Sequence, residues 1–359
     1  MKKLLLATAA TALIAGAASA EDVKMGIILG FTGPLESITP NMATGAELAI
    51  SEVNASGKFA LGTVVPVRAD STCIDAAAAT AAADRLVTAE GIKAIMGADC
   101  SGVTGAILQN VARTNGVAMI SPSATSPALS TAEDDGLFFR TAPSDARQGV
   151  VMTEILMDKG IKSVALTYTN NDYGKGLADS FAEAFTAAGG TVTINTPHED
   201  DKADYSAEVA SLASAGGEVL VVAGYTDKGG KSIIQASLDS GAFSTFVLPD
   251  GMVGQKLVED IGAGLNGSFG QYPGTDSQGA EVFQSLATAA GFDGTSAFAP
   301  ESYDAAALIM LAMAAAGSSD SKDWAGKVMD LANAPGEPIL PGELGKALDL
   351  IAAGTDIDY

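Results

Sequence analysis

The chain has 359 residues, with 43 acidic against 20 basic side chains and a formal charge of −23. It holds no basic run, which makes nucleic acid and anionic membrane surfaces poor partners and disfavours multiply anionic ligands; a zwitterion or a neutral solute would feel little net force. One histidine and two cysteines leave no zinc set, and the length suggests two lobes rather than one.

The opening stretch, MKKLLLATAATALIAGAASA, joins two lysines to an apolar run and a small-x-small ending at Ala18-Ser19-Ala20. This is the pattern of a secretory signal peptide over residues 1–20, too short for a membrane anchor. The mature chain is expected to begin at Glu21, and loss of Lys2 and Lys3 takes its charge to −25. No later stretch reaches spanning length without polar interruption; the richest, AAALIMLAMAAAG, is bounded by Asp304 and Ser318. A soluble, exported, periplasmic protein is expected.

From VKMGIILGF onward, strand and helix patterns alternate. The strands VKMGIILGF, TVVPVRAD, IKAIMGA and VAMISPSA are each followed by a helix or a turn. After FFRTAPS the rhythm restarts with a helix, then the strands SVALTYTN, TVTINTP, EVLVVAGY and STFVLPD with helices between them. FGQYPG is a further turn-bounded segment, and the tail from PGEPILPGEL reads as short strands and turns. Apolar strands alternating with helices that close at glycine imply parallel sheets covered on both faces. The fold class is therefore α/β, doubly wound twice over, in two lobes.

In such sheets ligands lie beyond the carboxyl ends of the strands. Those loops present Ser101 at the first turn of a helix, where free N–H groups favour a carboxylate. They also present Ser123 and Thr125 in PSATSP, Tyr225 after VVAG and Asp250 after FVLP. Hydroxyls and N–H groups in one half, with a carboxylate in the other, suit the two ends of an amino acid. Plainer roles exist beside these. Ser101 and Thr125 also suit helix caps, Asp250 heads an Asp-Gly turn, and Tyr173 suits a packing aromatic at a helix start. Export permits a disulfide. Two cysteines allow one intramolecular pair, Cys73 with Cys100, against the alternative of two free buried thiols. A bond there would fix the turn that carries Ser101.

The stretch IMGADCSGVTGAILQNVARTNGVAMISPSATSPALS resembles the leucine/isoleucine/valine-binding proteins, the amino-acid members of the type I solute-binding proteins of ABC importers. The similarity runs from EDVKMGIILGFTGPL to the region of SYDAAALIM. In that family a cysteine before the ligand-binding serine pairs with an earlier one, as Cys73 and Cys100 would. The resemblance implies that Ser101 and Thr125 bind the ligand carboxylate and that the Ser123 carbonyl meets the ammonium. Tyr173 and Tyr225 match ligand-contacting tyrosines of the second lobe, and Asp250 lies where the family has an acid for the ammonium. It also implies three lobe crossings, near Thr141, Ser268 and Gly336. Lobe 1 would then be 21–141 with 269–336, and lobe 2 would be 142–268 with 337–359.

Two departures bear on the pocket. The family commonly has glutamate where Asp250 stands, which sets the carboxylate one methylene further back. An aromatic residue expected after GPL is replaced by Ile38. Glu301 falls near a family pocket wall, although by itself it reads as a solvated helix-start acid complementing the dipole.

Enzyme signatures are missing. There is no G-x-S-x-G elbow, and neither a G-x-G-x-x-G after the first strand nor a lysine-bearing phosphate loop. His198, in PHEDDKADY, reads as a solvated loop residue. No catalysis, cofactor or metal is expected. The expected function is capture of a small amino acid, branched-chain or a related aliphatic, between two lobes by a monomer that delivers it to a membrane ABC permease. The alternatives are a sensing protein that serves a separate receptor, or a binder of an amide, urea or a γ-amino acid.

Overall fold

The computed structural model describes residues 22–274 and 276–359; the signal-peptide reading and the start at Glu21 lie outside them. In chain order the first sheet region holds β1 (Val23–Leu29), α1 (Thr39–Ser56), β2 (Val64–Asp70), α2 (Ala76–Arg85) and β3 (Ala94–Gly97). It continues with α3 (Ser101–Ile107), α4 (Arg113–Asn115), β4 (Met119–Ser121) and β5 (Phe138–Arg140). The five strands form one parallel sheet in the order β2-β1-β3-β4-β5.

The second sheet region holds α5 (Asp145–Asp158), β6 (Ser163–Thr169), α6 (Asp172–Ala187), β7 (Thr191–His198) and α7 (Ser206–Ala215). It ends with β8 (Val219–Ala223), α8 (Gly229–Ser240), β9 (Phe246–Leu248), α9 (Gln255–Ile261) and β10 (Phe269–Gly270). Its parallel order is β10-β9-β8-β6-β7. The chain then returns through α10 (Gln278–Ala290), α11 (Ala299–Ala316), α12 (Ser321–Trp324) and α13 (Val328–Leu331). It closes with β11 (Glu337–Pro338), α14 (Leu344–Ala352) and β12 (Ile357–Asp358).

Both sheets read as the alternation requires. Every residue of β1 except Lys24 is buried, as in a strand covered on both faces. In β6 and β8 the register pairs Val164 with Val219 and Leu166 with Val221, while Ala165 pairs with Leu220. The first set joins the core continuous with the first lobe and the second joins a separate core under α7 and α8. The apolar run of α11 is buried almost all round, the condition under which a helix is apolar on every face. It packs on α1, β3 and β4. Gly45 permits the α1 approach, since a Cβ there would lie 2.5 Å from the Ala299 carbonyl oxygen.

The lobe boundaries differ from the expectation at two crossings. Thr141 donates its N–H to the Ser121 carbonyl of the first sheet at 3.0 Å, and α5 begins at Asp145. Phe269 and Gly270, expected in lobe 1, instead pair with Val247 and Leu248 as the edge strand of the second sheet. Gln271 N–H also donates to the Leu248 carbonyl at 3.0 Å. A two-residue strand is too short to show a hydrophobic period. The crossing therefore lies between Gln271 and Ser277 rather than at Ser268.

The tail 337–359, expected in lobe 2, packs on lobe 1. Leu344, Ala347 and Leu348 bury the inner face of α14 against α11 and α1. Polar contacts fix it there. Glu52 Oε1 of α1 accepts the Leu344 N–H at 2.7 Å, Lys58 Nζ meets Asp349 Oδ2 at 2.6 Å, and the Tyr359 hydroxyl donates to Asp304 Oδ1 at 2.9 Å. An amphipathic helix goes where an apolar seam with matching acceptors lies open, and the α1–α11 seam offers both.

The two lobes touch on either side of the cleft between them. The Asp227 N–H donates to the Pro34 carbonyl (3.1 Å) and Asp227 Oδ2 accepts the Ser37 N–H (3.0 Å). On the other side Gly176 of α6 lies so near that a Cβ there would be 2.9 Å from Pro127 Cδ. The lobes are closed.

Replacing Glu52 by Ala strips both the Leu344 N–H and the Tyr303 hydroxyl of their acceptor. A loss of about 1–3 kcal/mol is expected in urea unfolding. An unchanged midpoint would mean that the tail does not dock on α1.

Candidate functional site

The site is built from strand ends of both sheets. On the first lobe, the turn between β3 and α3 is held by Cys73 and Cys100, which are bonded. Asp99, beside Cys100, accepts the Gly30 N–H at 2.9 Å with one oxygen and the Ser71 hydroxyl at 2.8 Å with the other. The ends of β1, β2 and β3 are thereby tied to one buried carboxylate, and burial pushes its pKa up against those hydrogen bonds. Both sulfurs of the cluster Cys73, Asp99 and Cys100 sit in the disulfide, so this group offers no thiolate to a metal.

Ser101 is the first residue of α3, whose N-cap is Cys100. It does not cap the helix. Its Oγ accepts the Ser126 N–H at 3.1 Å, which leaves the hydroxyl proton to donate elsewhere. The helical ladder begins with the Thr104 N–H on the Cys100 carbonyl (2.9 Å), so the preceding N–H groups have no partner within the helix. After β4, the Ser121 hydroxyl bonds the Ala98 carbonyl and accepts the Ala124 N–H. The Ser123 hydroxyl bonds the Asp99 carbonyl at 2.9 Å. Thr125 is fully buried and its hydroxyl has no hydrogen-bond partner among the described residues, which also argues against a plain capping role.

The second lobe supplies the opposite chemistry. Tyr173, in the first turn of α6, donates its hydroxyl to Asp250 Oδ1 at 2.6 Å and accepts the Gly251 N–H at 3.1 Å. It stacks on Tyr225 with ring centroids 5.2 Å apart. Asn171 both caps α6, through the Gly174 N–H, and donates to the Tyr225 hydroxyl at 3.1 Å. Burial and the nearby Asp250 push the Tyr173 pKa far up, and burial, with Asp200 next, does the same for Tyr225, so both remain neutral donors.

The two halves are wired together at the first crossing. Asp145, the first residue of α5, donates its N–H to the Thr125 carbonyl (2.9 Å). Its Oδ1 accepts from the Gln148 amide (2.9 Å), and Gln148 Oε1 accepts the Asp250 N–H (3.2 Å). Asp145 and Asp250 are both buried. Burial and the Asp250 charge push the Asp145 pKa up; burial pushes Asp250 up while the Tyr173 hydroxyl opposes it. Two such carboxyls favour a shared proton or an arriving cation.

The structure thus brings Ser101, Ser123, Thr125, Tyr173, Tyr225 and Asp250 into one connected network. Ile38, the N-cap residue of α1, is buried at the seam, with Cγ2 3.4 Å from where a Cβ on Gly254 would lie. Glu301 stands apart. It lines a different cleft, at the hinge, and is not a solvated acid: burial raises its pKa to about 7. His198 is no loop residue either. It ends β7 with its side chain inward, its Nδ1 lies 2.9 Å from the Thr167 hydroxyl, and burial lowers its pKa to about 4. The alternation of β7 continues one residue past TVTINTP and turns it into the core.

Asp145, Gln148, Asn171, Asp99 and Arg140 were not singled out from the sequence. Asp145 and Gln148 did leave a signal, since they fall on the face of α5 that also buries Met152 and Leu156. Polar residues at inward helix positions ask for a polar partner.

Two parallel-sheet lobes closing on a polar seam define a two-lobed solute-binding architecture. A family model described as periplasmic binding protein matches residues 22–331. The Leu/Ile/Val-binding protein homolog 1 of Brucella abortus (strain 2308) is 32% identical over 332 residues, spanning 90% of this chain and 87% of the relative. The chemotactic signal transduction system substrate-binding protein BasB of Halobacterium salinarum is 30% identical, over 94% of this chain and 81% of its own. The branched-chain amino acid transporter substrate-binding protein LivJ of Streptococcus pneumoniae, solved with isoleucine, superposes with a TM-score of 0.76 at 24% identity. That superposition covers 88% of this chain and 89% of the other, a likeness of fold. The chain belongs to the leucine/isoleucine/valine-binding protein family of type I periplasmic binding proteins.

Thiol titration of the denatured, unreduced protein should find no free thiol. With the cysteines 27 positions apart in sequence, reduction should cost about 3–4 kcal/mol of stability on the chain-entropy account; two titratable thiols would refute the bond. For Glu301, a folded-state pKa raised to about 7 means that the folded protein holds a proton the unfolded chain has lost. Wild type should therefore gain stability relative to Glu301→Gln as pH falls from about 7 toward the ordinary carboxylate range, by up to about 3 kcal/mol. Urea unfolding across that window checks the sign.

Proposed function

We propose that this protein captures a small aliphatic amino acid between its lobes outside the cytoplasm and delivers it to a membrane ABC importer. The observation that carries the reading is the pairing of opposites across the seam. The Asp250 carboxyl is buried and oriented by Tyr173. Facing it through the Asp145–Gln148 relay is a turn with a donor-ready Ser101, a buried Thr125 hydroxyl with no hydrogen-bond partner and the free N–H groups of α3.

A zwitterion that loses its water must meet donors at one end and acceptors at the other. Ser101, Thr125 and the α3 N–H groups hold the carboxylate. Asp250 and the Ser123 carbonyl hold the ammonium, whose charge also resolves the tension between Asp250 and Asp145. Tyr173 and Tyr225 form one wall, and Ile38, with no polar atom on its side chain, closes the other. An aliphatic ligand side chain suits that closure. The relatives named for leucine, isoleucine and valine support the ligand class, and the leader-like first 20 residues support export. Release of the solute unchanged is the expected outcome.

The BasB likeness favours one second reading, in which the loaded protein also addresses a chemosensory receptor. Stimulation of a reconstituted permease ATPase, against binding to a receptor ectodomain, separates the two.

Calorimetry and thermal shift against leucine, isoleucine, valine, alanine, γ-aminobutyrate, urea and benzoate should single out the branched-chain set. Ligand at a hundred times its dissociation constant adds about 2.7 kcal/mol. Replacing Asp250 by Ala should then cost about 2–5 kcal/mol of binding. Binding within about twofold of wild type, the scale of a contact that carries no charge pair, would remove Asp250 from the ammonium site.

A further inference from the structure

Behind the crossings lies a second cleft, of about 840 Å³. Thr141 and Tyr272 from the two crossings, Phe283 of α10, Glu301 and Asp304 of α11 and Leu340 of the tail contribute to its walls. None of the six residues at the lobe seam does. Its volume falls in the range of small-molecule sites, and its lining is of their kind, apolar walls with a few convergent polar groups.

Among those polar groups are two carboxylates on one helix. Glu301 and Asp304, three residues apart, share one face of α11. Asp304 Oδ1 accepts the Tyr359 hydroxyl at 2.9 Å. Glu301 forms part of the cleft wall while its Oε2 is sealed from solvent and meets no donor among the described residues. Burial raises both acids, Glu301 to about 7 and Asp304 to about 6, and the Asp304 charge adds to the cost of charging Glu301. The cation that also lines this cleft, Arg140, is committed elsewhere. Its guanidinium donates to the carbonyls of Ala124 (3.0 Å) and Ser126 (2.9 Å) and to the Ser130 hydroxyl (2.5 Å). The cleft therefore holds a half-buried acid pair with no salt bridge to a lysine or arginine among the described residues. A bare divalent ion would want six or more oxygens, and apolar residues such as Leu308 and Leu340 share the lining.

We propose that this hinge cleft is a second binding site, for a small organic cation of the amine or guanidinium class, with its charged head between Glu301 and Asp304 and its apolar body against Phe283. The site stands independently of the amino-acid reading of the seam.

The test is calorimetry with butylammonium chloride and butylguanidinium chloride, with n-butanol and sodium butyrate as neutral and anionic counterparts. Both cations should bind wild type with one equivalent and the counterparts should not. Glu301→Gln keeps the shape and removes the charge, so it should weaken butylammonium at least about tenfold; Asp250→Ala should leave it unchanged. Cooperative thermal unfolding of each variant shows that it is folded, and Asp304→Asn supplies the same comparison should Glu301→Gln not fold. The proposal fails if neither cation binds at about 10 mM, well above the range of small-molecule sites. It fails too if both acid-to-amide variants bind like wild type, if calcium chloride displaces the amine, or if Asp250→Ala abolishes binding while Glu301→Gln keeps it. That last pattern would place the amine in the seam.

Discussion

The Asp250 carboxyl is buried against a tyrosine hydroxyl, with no lysine or arginine bridged to it among the described residues. Much of the seam follows from that one condition. An acid out of water must be oriented, so Tyr173 is placed in the first turn of α6 and packed on Tyr225, which Asn171 fixes in turn. Its backbone is tethered through Gln148 to Asp145, at the start of the helix that follows the first crossing. Each tether stabilises a geometry that desolvation alone would disfavour. The arrangement keeps an acceptor preorganised, so less of the binding free energy is lost in ordering it.

The two sides of the seam are stiffened differently. On the first lobe a covalent bond and a buried carboxylate hold three strand ends in place. On the second lobe the groups are held by hydrogen bonds between side chains of separate loops, which can adjust as a body. Hinge closure around a ligand moves two such sides against each other as bodies.

Much of this was legible in the sequence. Apolar strands and glycine-closed helices declared two parallel sheets, and the rule that ligands gather at carboxyl strand ends selected the loops that carry Ser101, Thr125, Tyr225 and Asp250. What stayed hidden depends on faces rather than on residue types. PHED looks like a polar loop until the pleat of β7 turns His198 inward. Glu301 looks like a helix-start acid until the tail and the second crossing cover it. Phe269 and Gly270 are too few to show a period. The tail's lobe could not be read because α14 announces an apolar face without naming its seam. Asp145 and Gln148 were recoverable, had the inward face of α5 been scanned for polar residues.

Gly176 has a consequence of another kind. Inside α6, where alanine would raise helix propensity by roughly 0.8–1 kcal/mol, the chain keeps a poor helix former. A Cβ would meet Pro127 across the seam at 2.9 Å. The position is therefore a latch with zero clearance. Any side chain there acts as a doorstop between the lobes, since it would leave α6 intact and even strengthen it while keeping the halves ajar. Local stability and closure pull in opposite directions at this one position, and closure has won. A protein held open in this way, without harm to either lobe, would give a reference state against which the work done by a captured solute in shutting the molecule can be weighed.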